Sequence, residues 1–297
     1  GDVRIYGCAA AMNYVNFAPA VAGRNPDAIR CITSGASRNV YLKNLTFDGQ
    51  NTWKAAVALG AVNGVLFDNV TFKNYNHNGS NTRIDSWLLR HPAVLVGAAA
   101  PRQVFFRGGT VDGVNPHVAY IDGCHGCGYV GLTVSPRISS FYFDLKTNDD
   151  FTGDYNGDGV FDPSELRTQH HIVIAHNTFG QPGVASTGHP GYVAGSDVLV
   201  KENVLHHPVG TFFTMNGKCS VRFQNDPRVV YRFEHHYYVG NRVQQVTTFA
   251  HEDGTRYSCL SSQQYPFGHY EVLDNAVVSA SGFQRMVQES GSVASPK

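Results

Sequence analysis

Apolar residues in this chain recur at every second position, in short runs that resemble one another. Asn39-Val-Tyr-Leu-Lys-Asn-Leu-Thr-Phe-Asp-Gly49 is echoed by Gly64-Val-Leu-Phe-Asp-Asn-Val-Thr-Phe-Lys-Asn74 and by Gln103-Val-Phe-Phe-Arg-Gly-Gly-Thr-Val-Asp-Gly113. The pattern returns in His171-Ile-Val-Ile-Ala-His-Asn-Thr-Phe-Gly180, Asp197-Val-Leu-Val-Lys-Glu-Asn-Val-Leu-His206 and Tyr270-Glu-Val-Leu-Asp-Asn-Ala-Val-Val278. Alternation and β-branched or aromatic content predict a strand in each. A second strand usually follows. These read Ala55-Ala-Val-Ala-Leu59, Ala93-Val-Leu-Val96, His117-Val-Ala-Tyr-Ile-Asp122, Ser140-Phe-Tyr-Phe-Asp144, Thr211-Phe-Phe-Thr-Met215 and Thr247-Thr-Phe-Ala-His251, with a weaker one at Gly191-Tyr-Val-Ala194. Gly, Asn, Asp and Pro punctuate between them as turns require.

The repeat has a period of roughly 22–26 residues where no loop intervenes, which predicts an all-β solenoid, a right-handed parallel β-helix of about eight or nine coils. One domain is expected over 1–290, with loop insertions at 74–92, 146–170 and 219–235 and a flexible tail at 291–297. The opening Asp2-Val-Arg-Ile-Tyr6 reads as a strand with no evident cap, an open sheet edge that something must cover. Asn44, Asn69, Asn177, Asn203 and Asn275 recur at turns and are expected to stack in a structural ladder.

These strand pairs resemble the right-handed parallel β-helix superfamily of pectate-lyase-like fold, over nearly the whole chain. That superfamily includes polysaccharide lyases, glycoside hydrolases, epimerases and phage tailspikes. The polygalacturonase-type motifs Asn-Thr-Asp-Gly and Arg-Ile-Lys are absent, and Gly188-His-Pro-Gly191 only grazes Gly-His-Gly, so no subfamily carries over.

Composition narrows the function. Lys and Arg number 23 and Asp and Glu number 23, so the net charge is zero and no nucleic-acid partner is expected. No apolar run approaches the roughly 20 residues that span a bilayer. Six cysteines fit three disulfides and a secreted or cell-surface location. Sequence leaves their connectivity open; the pairs expected are Cys8–Cys31, Cys124–Cys127 and Cys219–Cys259.

The sharpest short motif is Asp154-Tyr-Asn-Gly-Asp-Gly-Val-Phe-Asp-Pro-Ser-Glu165, which matches the twelve-residue calcium loop at every specified position. Asp154, Asn156 and Asp158 would offer side-chain oxygens and Val160 its carbonyl. Asp162 would act through water and Glu165 would close the site with both carboxylate oxygens. Ca2+ is therefore the expected cofactor, in a structural role that pins the 146–170 insertion.

Aligning the second strands by apolar residues sets Asp122 over Asp144, which are 22 residues apart. Neighbouring strands lie about 4.8 Å apart, so stacked carboxylates would share a cation or split their pKa values. With a cation between them, and Lys146 or Arg137 as base, the site is that of a calcium-assisted polysaccharide lyase, the function expected ahead of the two alternatives that follow; some members of the resembling superfamily use this combination. Without a cation, the pair suits a glycoside hydrolase, at the roughly 5 Å separation of retaining enzymes. The third reading is a non-catalytic glycan-binding β-helix of adhesin or tailspike type. Asn216 and His251 fall at the same phase on later coils, and His189 and His207 lie near strand ends; these four are the expected substrate contacts. In each His-His pair, at 170–171, 206–207 and 235–236, alternation lets only one ring face a given side. The oligomeric state is not readable from the sequence.

Overall fold

The computed structural model describes residues 3–4, 14–15, 27–31, 37–48, 55–59, 62–75, 85–90, 102–114, 117–122, 124–135, 141–145, 170–184, 189–193, 196–206, 211–215, 235–244, 248–253, 269–278 and 285–290. Among these residues every regular element is a strand, and the strands form two sheets, one of fifteen and one of ten. The chain passes from the first sheet to the second and back, and each passage, called a coil below, adds a strand beside its predecessor. All pairings are parallel except two. The winding is that of a solenoid and is compatible with a parallel β-helix.

The first sheet is built from Ser37–Lys43 with Thr46–Asp48, Val62–Tyr75, Arg102–Val114, and then from pairs of short strands ending in Tyr270–Leu273 with Ala276–Val278. The second runs in order Asp27–Cys31, Ala55–Leu59, Asp85–Arg90, His117–Asp122, Phe141–Leu145, His189–Val193, Thr211–Met215, Thr248–Asp253, Arg285–Ser290. The exceptions to parallel pairing sit at the open edge that the sequence anticipates. Val3–Arg4 lies antiparallel on Ser37–Lys43, and Tyr14–Val15 on Asp27–Cys31. Short antiparallel strands of this kind occupy edge hydrogen-bonding groups that would otherwise pair with another chain.

One expectation shifts. The stretch 74–92, read as a loop, contains the strand Asp85–Arg90, which pairs with Ala55–Leu59 and His117–Asp122. It supplies the second-sheet strand of that coil; Ala93-Val-Leu-Val96, the run expected there, lies outside the described residues. Asp85–Arg90 is an apolar run of strand length between two charged ends, and its pairing on both sides identifies it.

The core of the first sheet stacks like on like. Leu42, Phe67, Phe106, Tyr129, Ile174, Val200 and Tyr238 occupy one register position on successive coils and are buried. Phe67 and Phe106 stack with ring centroids 4.5 Å apart, and Phe47 and Phe72 stack at 5.6 Å. Such pairs contribute about 0.5–1.5 kcal/mol each beyond area burial. Cys124 and Cys127, both fully buried, are joined by a disulfide; the side chains of the other four cysteines lie outside the described residues.

Two columns of left-handed residues shape the sheet. Asn39, Gly64, Gln103, Gly126, His171, Asp197 and His235 form the first, with φ between 53 and 76°. Asn44, Asn69, Gly108, Gly131, His176, Glu202, Gly240 and Asp274 form the second, with φ between 50 and 72°. This conformation costs a non-glycine residue about 1–2 kcal/mol, least for Asn and Asp, whose short polar groups bond locally. At Gly109 (φ 91°) a β-carbon would overlap the Val70 carbonyl, so that position is closed to any other residue.

The predicted asparagine ladder exists in a different form. Asn177, Asn203, Asn241 and Asn275 stand one residue after the second left-handed column. Asn177 donates from Nδ2 to Asn203 Oδ1 (2.9 Å) and to the Tyr129 carbonyl (3.1 Å). Its backbone N–H reaches the same Asn203 oxygen at 3.0 Å. Asn203 repeats this with Asn241, and Asn241 with Asn275. Asn44 and Asn69 belong instead to the exposed left-handed column, joined to each other at 2.8 Å. Asn241, absent from the expected set, completes the ladder.

Candidate functional site

The second sheet carries the carboxylates singled out in the sequence. Its register pairs Tyr120 with Asp144, Asp144 with Tyr192, Tyr192 with Thr214, Thr214 with His251 and His251 with Gln288. Asp144 thus stands beside Tyr120, and the expected stacking of Asp122 on Asp144 is corrected by two residues. Asp122 instead pairs with Arg90 on the preceding strand. An offset of two preserves the alternation, so positions 122 and 144 remain on one face of the sheet, on a diagonal. His251 keeps its expected phase with Asp144. His189 pairs with Phe141, three residues before Asp144, an odd offset that places it on the opposite face.

Lys146, Arg137, Asn216, His207 and the calcium loop with Asp154, Asn156, Asp158, Val160, Asp162 and Glu165 lie outside the described residues. Among the described residues no group of three or more His, Cys, Asp or Glu is arranged to hold a metal ion. No helix there is long and apolar enough to cross a membrane.

The first sheet presents a second polar array that the sequence reading missed. Along the first left-handed column and the position before it, histidines and carboxylates follow one another coil after coil. His125 stacks on His170 with centroids 3.9 Å apart. His170 Nδ1 lies 2.9 Å from His171 Nδ1. His171 Nε2 is 3.8 Å from Asp197 Oδ2, and Asp197 Oδ1 is 3.0 Å from His235 Nδ1. The His235 and His269 rings are 6.2 Å apart, and His269 Nε2 meets Glu271 Oε1 at 2.9 Å. Burial first and the neighbouring His171 second hold the His170 imidazole below its ordinary range. A neutral His170 can accept at Nδ1 the hydrogen that His171 donates.

Strict alternation would have separated His170 from His171. The left-handed backbone at His171 breaks it and keeps both rings on the outside. His235 and His236 do divide: His235 is exposed, while His236 is fully buried with Nδ1 3.3 Å from the Tyr238 hydroxyl. The available signal was position, because His171, Asp197, His235 and His269 each stand just before an apolar strand start.

A third cluster lies on the outer face of the early coils. Asp68, 9% exposed, accepts two hydrogen bonds from Arg107, Nε to Oδ1 at 3.1 Å and Nη2 to Oδ2 at 2.9 Å. Tyr41 donates its hydroxyl to Oδ2 at 2.7 Å, and Lys43 Nζ stands 3.8 Å away. The Arg107 hydrogen bonds outweigh partial desolvation and hold the carboxyl at about 2. This knot ties three coils together and commits the carboxylate to its own neighbours through three hydrogen bonds.

No protein-family profile matches the chain. No curated protein matches it. Among solved structures, ORF18 of Geobacillus virus E2 is similar at a TM-score of 0.47 and 11% identity, over 84% of this chain and 45% of that one. The chain therefore spans less than half the length of that structure.

Proposed function

We propose that the chain is a right-handed parallel β-helix of pectate-lyase-like fold, with about eight or nine coils, and a secreted or cell-surface glycoside hydrolase acting on a polysaccharide laid along the second sheet. The observation that favours hydrolysis is the diagonal relation of Asp122 and Asp144. One strand across (about 4.8 Å) and two residues along (about 6.6 Å) separate the two positions by about 8 Å. Inverting glycosidases hold their carboxyl groups about 6.5–9.5 Å apart, with room for the attacking water. A lyase cation shared by stacked carboxylates would need both in one row, where the register puts Tyr120 beside Asp144 instead. The calcium-assisted lyase is therefore the weaker reading, and Lys146 and Arg137 have no role in the one preferred.

In this scheme Asp122, whose register neighbour is Arg90, is the base, because a nearby cation favours the ionised carboxylate. It deprotonates the water that attacks the anomeric carbon. Asp144, flanked in register by Tyr120 and Tyr192, is the acid that protonates the departing glycosidic oxygen. The positions of Tyr120 and Tyr192 on either side of Asp144 suit aromatic contacts to adjacent sugars, and Thr214 and His251 continue the row. The buried Cys124–Cys127 disulfide supports an oxidising compartment. The 154–165 loop is proposed, on its sequence alone, to bind Ca2+ structurally.

Incubation with a panel of polysaccharides tests this. Expected are new reducing ends without unsaturated-uronate absorbance, and an inverted anomer in the first product by NMR. Asp122→Asn and Asp144→Asn should each lower kcat/KM by about 10²–10⁴-fold. Uronate absorbance would restore the lyase, binding without products would indicate a non-catalytic glycan binder, and full activity in both variants would remove the site assignment.

A further inference from the structure

The histidine and carboxylate array on the first sheet is remote in kind from the second-sheet row: exposed, linear and directed along the coil axis. It runs through Arg102, His125, His170, His171, Asp197, His235, His269 and Glu271 on successive strands. Six strands at about 4.8 Å per step make it roughly 24 Å long. We propose that this rail binds a linear polyanion, an acidic polysaccharide chain, and engages it on acidification.

Charge and geometry carry the inference. The permanent charges along the rail are Arg102, Asp197 and Glu271, which sum to a negative strip. Five imidazoles stand among them, and histidine is the residue type whose charge changes between about pH 5 and 8. Acid therefore turns the strip from net negative to net positive. Lys201, Glu202 and His176 stand at the far end of the same strands, four or five residues on, and close on one another, at 3.2 Å and 3.1 Å to the Glu202 carboxylate. They add little to its balance. Asp197 and Glu271 also hold the rings in place: His235 is bound through Nδ1 and His269 through Nε2, so each presents its other nitrogen outward. His171 and His235 remain 69% and 51% exposed.

The shape selects the ligand. Basic groups spread over five of the six coils do not converge on a small anion, whereas a linear chain of charges can follow them. A single-stranded nucleic acid would ask for a stacking aromatic at each base. Along this rail the aromatics other than histidine in the row of Glu271 are Phe105 and Tyr237, on the second residue after the left-handed column and four strands apart, too far apart to stack successive bases. The choice of glycan rests on the reading of the second sheet; the acid-dependent anion binding does not.

Fluorescence anisotropy with labelled polygalacturonate tests the proposal on the whole chain. Affinity should be roughly tenfold or more tighter at about pH 5 than at about pH 7.5, and weaker in high salt. His171→Gln with His235→Gln should remove most of that pH dependence; Gln103 already occupies the same column at φ 53°, so glutamine suits the backbone. Asp197→Asn should tighten binding at about pH 7.5, roughly threefold or more, a gain that a merely structural role would not give. Equal affinity at both pH values, equal binding of neutral amylose, or tighter binding of a single-stranded oligonucleotide would each overturn it. Asp122→Asn should leave this pH dependence intact, so loss of hydrolysis and loss of rail binding are separable.

Discussion

Replacing Asp68 by asparagine isolates the electrostatic share of the knot on the early coils. The carboxyl is held at about 2 against an ordinary 3.8. Taken whole, that difference corresponds to about 2.5 kcal/mol of folding free energy. The partners are largely wet, Arg107 at 60% and Lys43 at 43% side-chain exposure, so screening reduces the effective share to about 1 kcal/mol. The folded value lies below the ordinary one. The stabilisation is therefore complete above about pH 4 and disappears as pH falls toward about 2. An asparagine there would keep the shape and one acceptor oxygen while removing the charge. Urea unfolding of both proteins should show Asp68→Asn weaker by about 1 kcal/mol at about pH 7, with the gap closing near pH 2. Taking the difference between the two proteins cancels the other carboxylates. A gap of the same size at both pH values would refute the charge account and assign the effect to packing.

Asn241→Leu should cost about 3 kcal/mol or more in unfolding free energy, although Leu132 fills the same column lower down. The loss strands the buried Asn203 N–H and the Val200 carbonyl and leaves the Asn203 amide with only its Ile174 carbonyl partner. A melting temperature equal to that of the natural chain would contradict the ladder. For the calcium loop, titrating Ca2+ into chelator-treated protein should release heat and raise the melting temperature, and Asp158→Ala with Glu165→Ala should abolish both. Absence of heat in the natural chain would remove Ca2+ from the account.

The alternating pattern made the strands and their parallel stacking readable, because a buried face imposes period two wherever it occurs. Registration was harder, for a physical reason. A slip of one residue reverses every side chain and is forbidden by the core, but a slip of two leaves the apolar pattern intact. That is how Tyr120-Ile-Asp122 came to be aligned on Tyr142-Phe-Asp144, when the backbone sets Tyr120 beside Asp144. The turns hid a similar ambiguity. Asn44 and Asn69 serve as left-handed residues, while Asn177 and Asn203, one position later, serve as hydrogen-bonding rungs. The same residue type performs both tasks, and only φ distinguishes them. The histidine rail escaped notice because its members are scattered over more than a hundred residues of sequence and meet only once the coils are stacked.

The rungs of the amide ladder are 26, 38 and 34 residues apart in sequence, yet each meets the next at 2.8–2.9 Å. Length is therefore free to vary between rungs, provided each segment returns its asparagine to the same place. Such a backbone can acquire or shed surface excursions one coil at a time without renegotiating its interior. It offers evolution an adjustable exterior on a fixed interior gauge, so two chains with the same ladder can differ widely in what they present to a ligand.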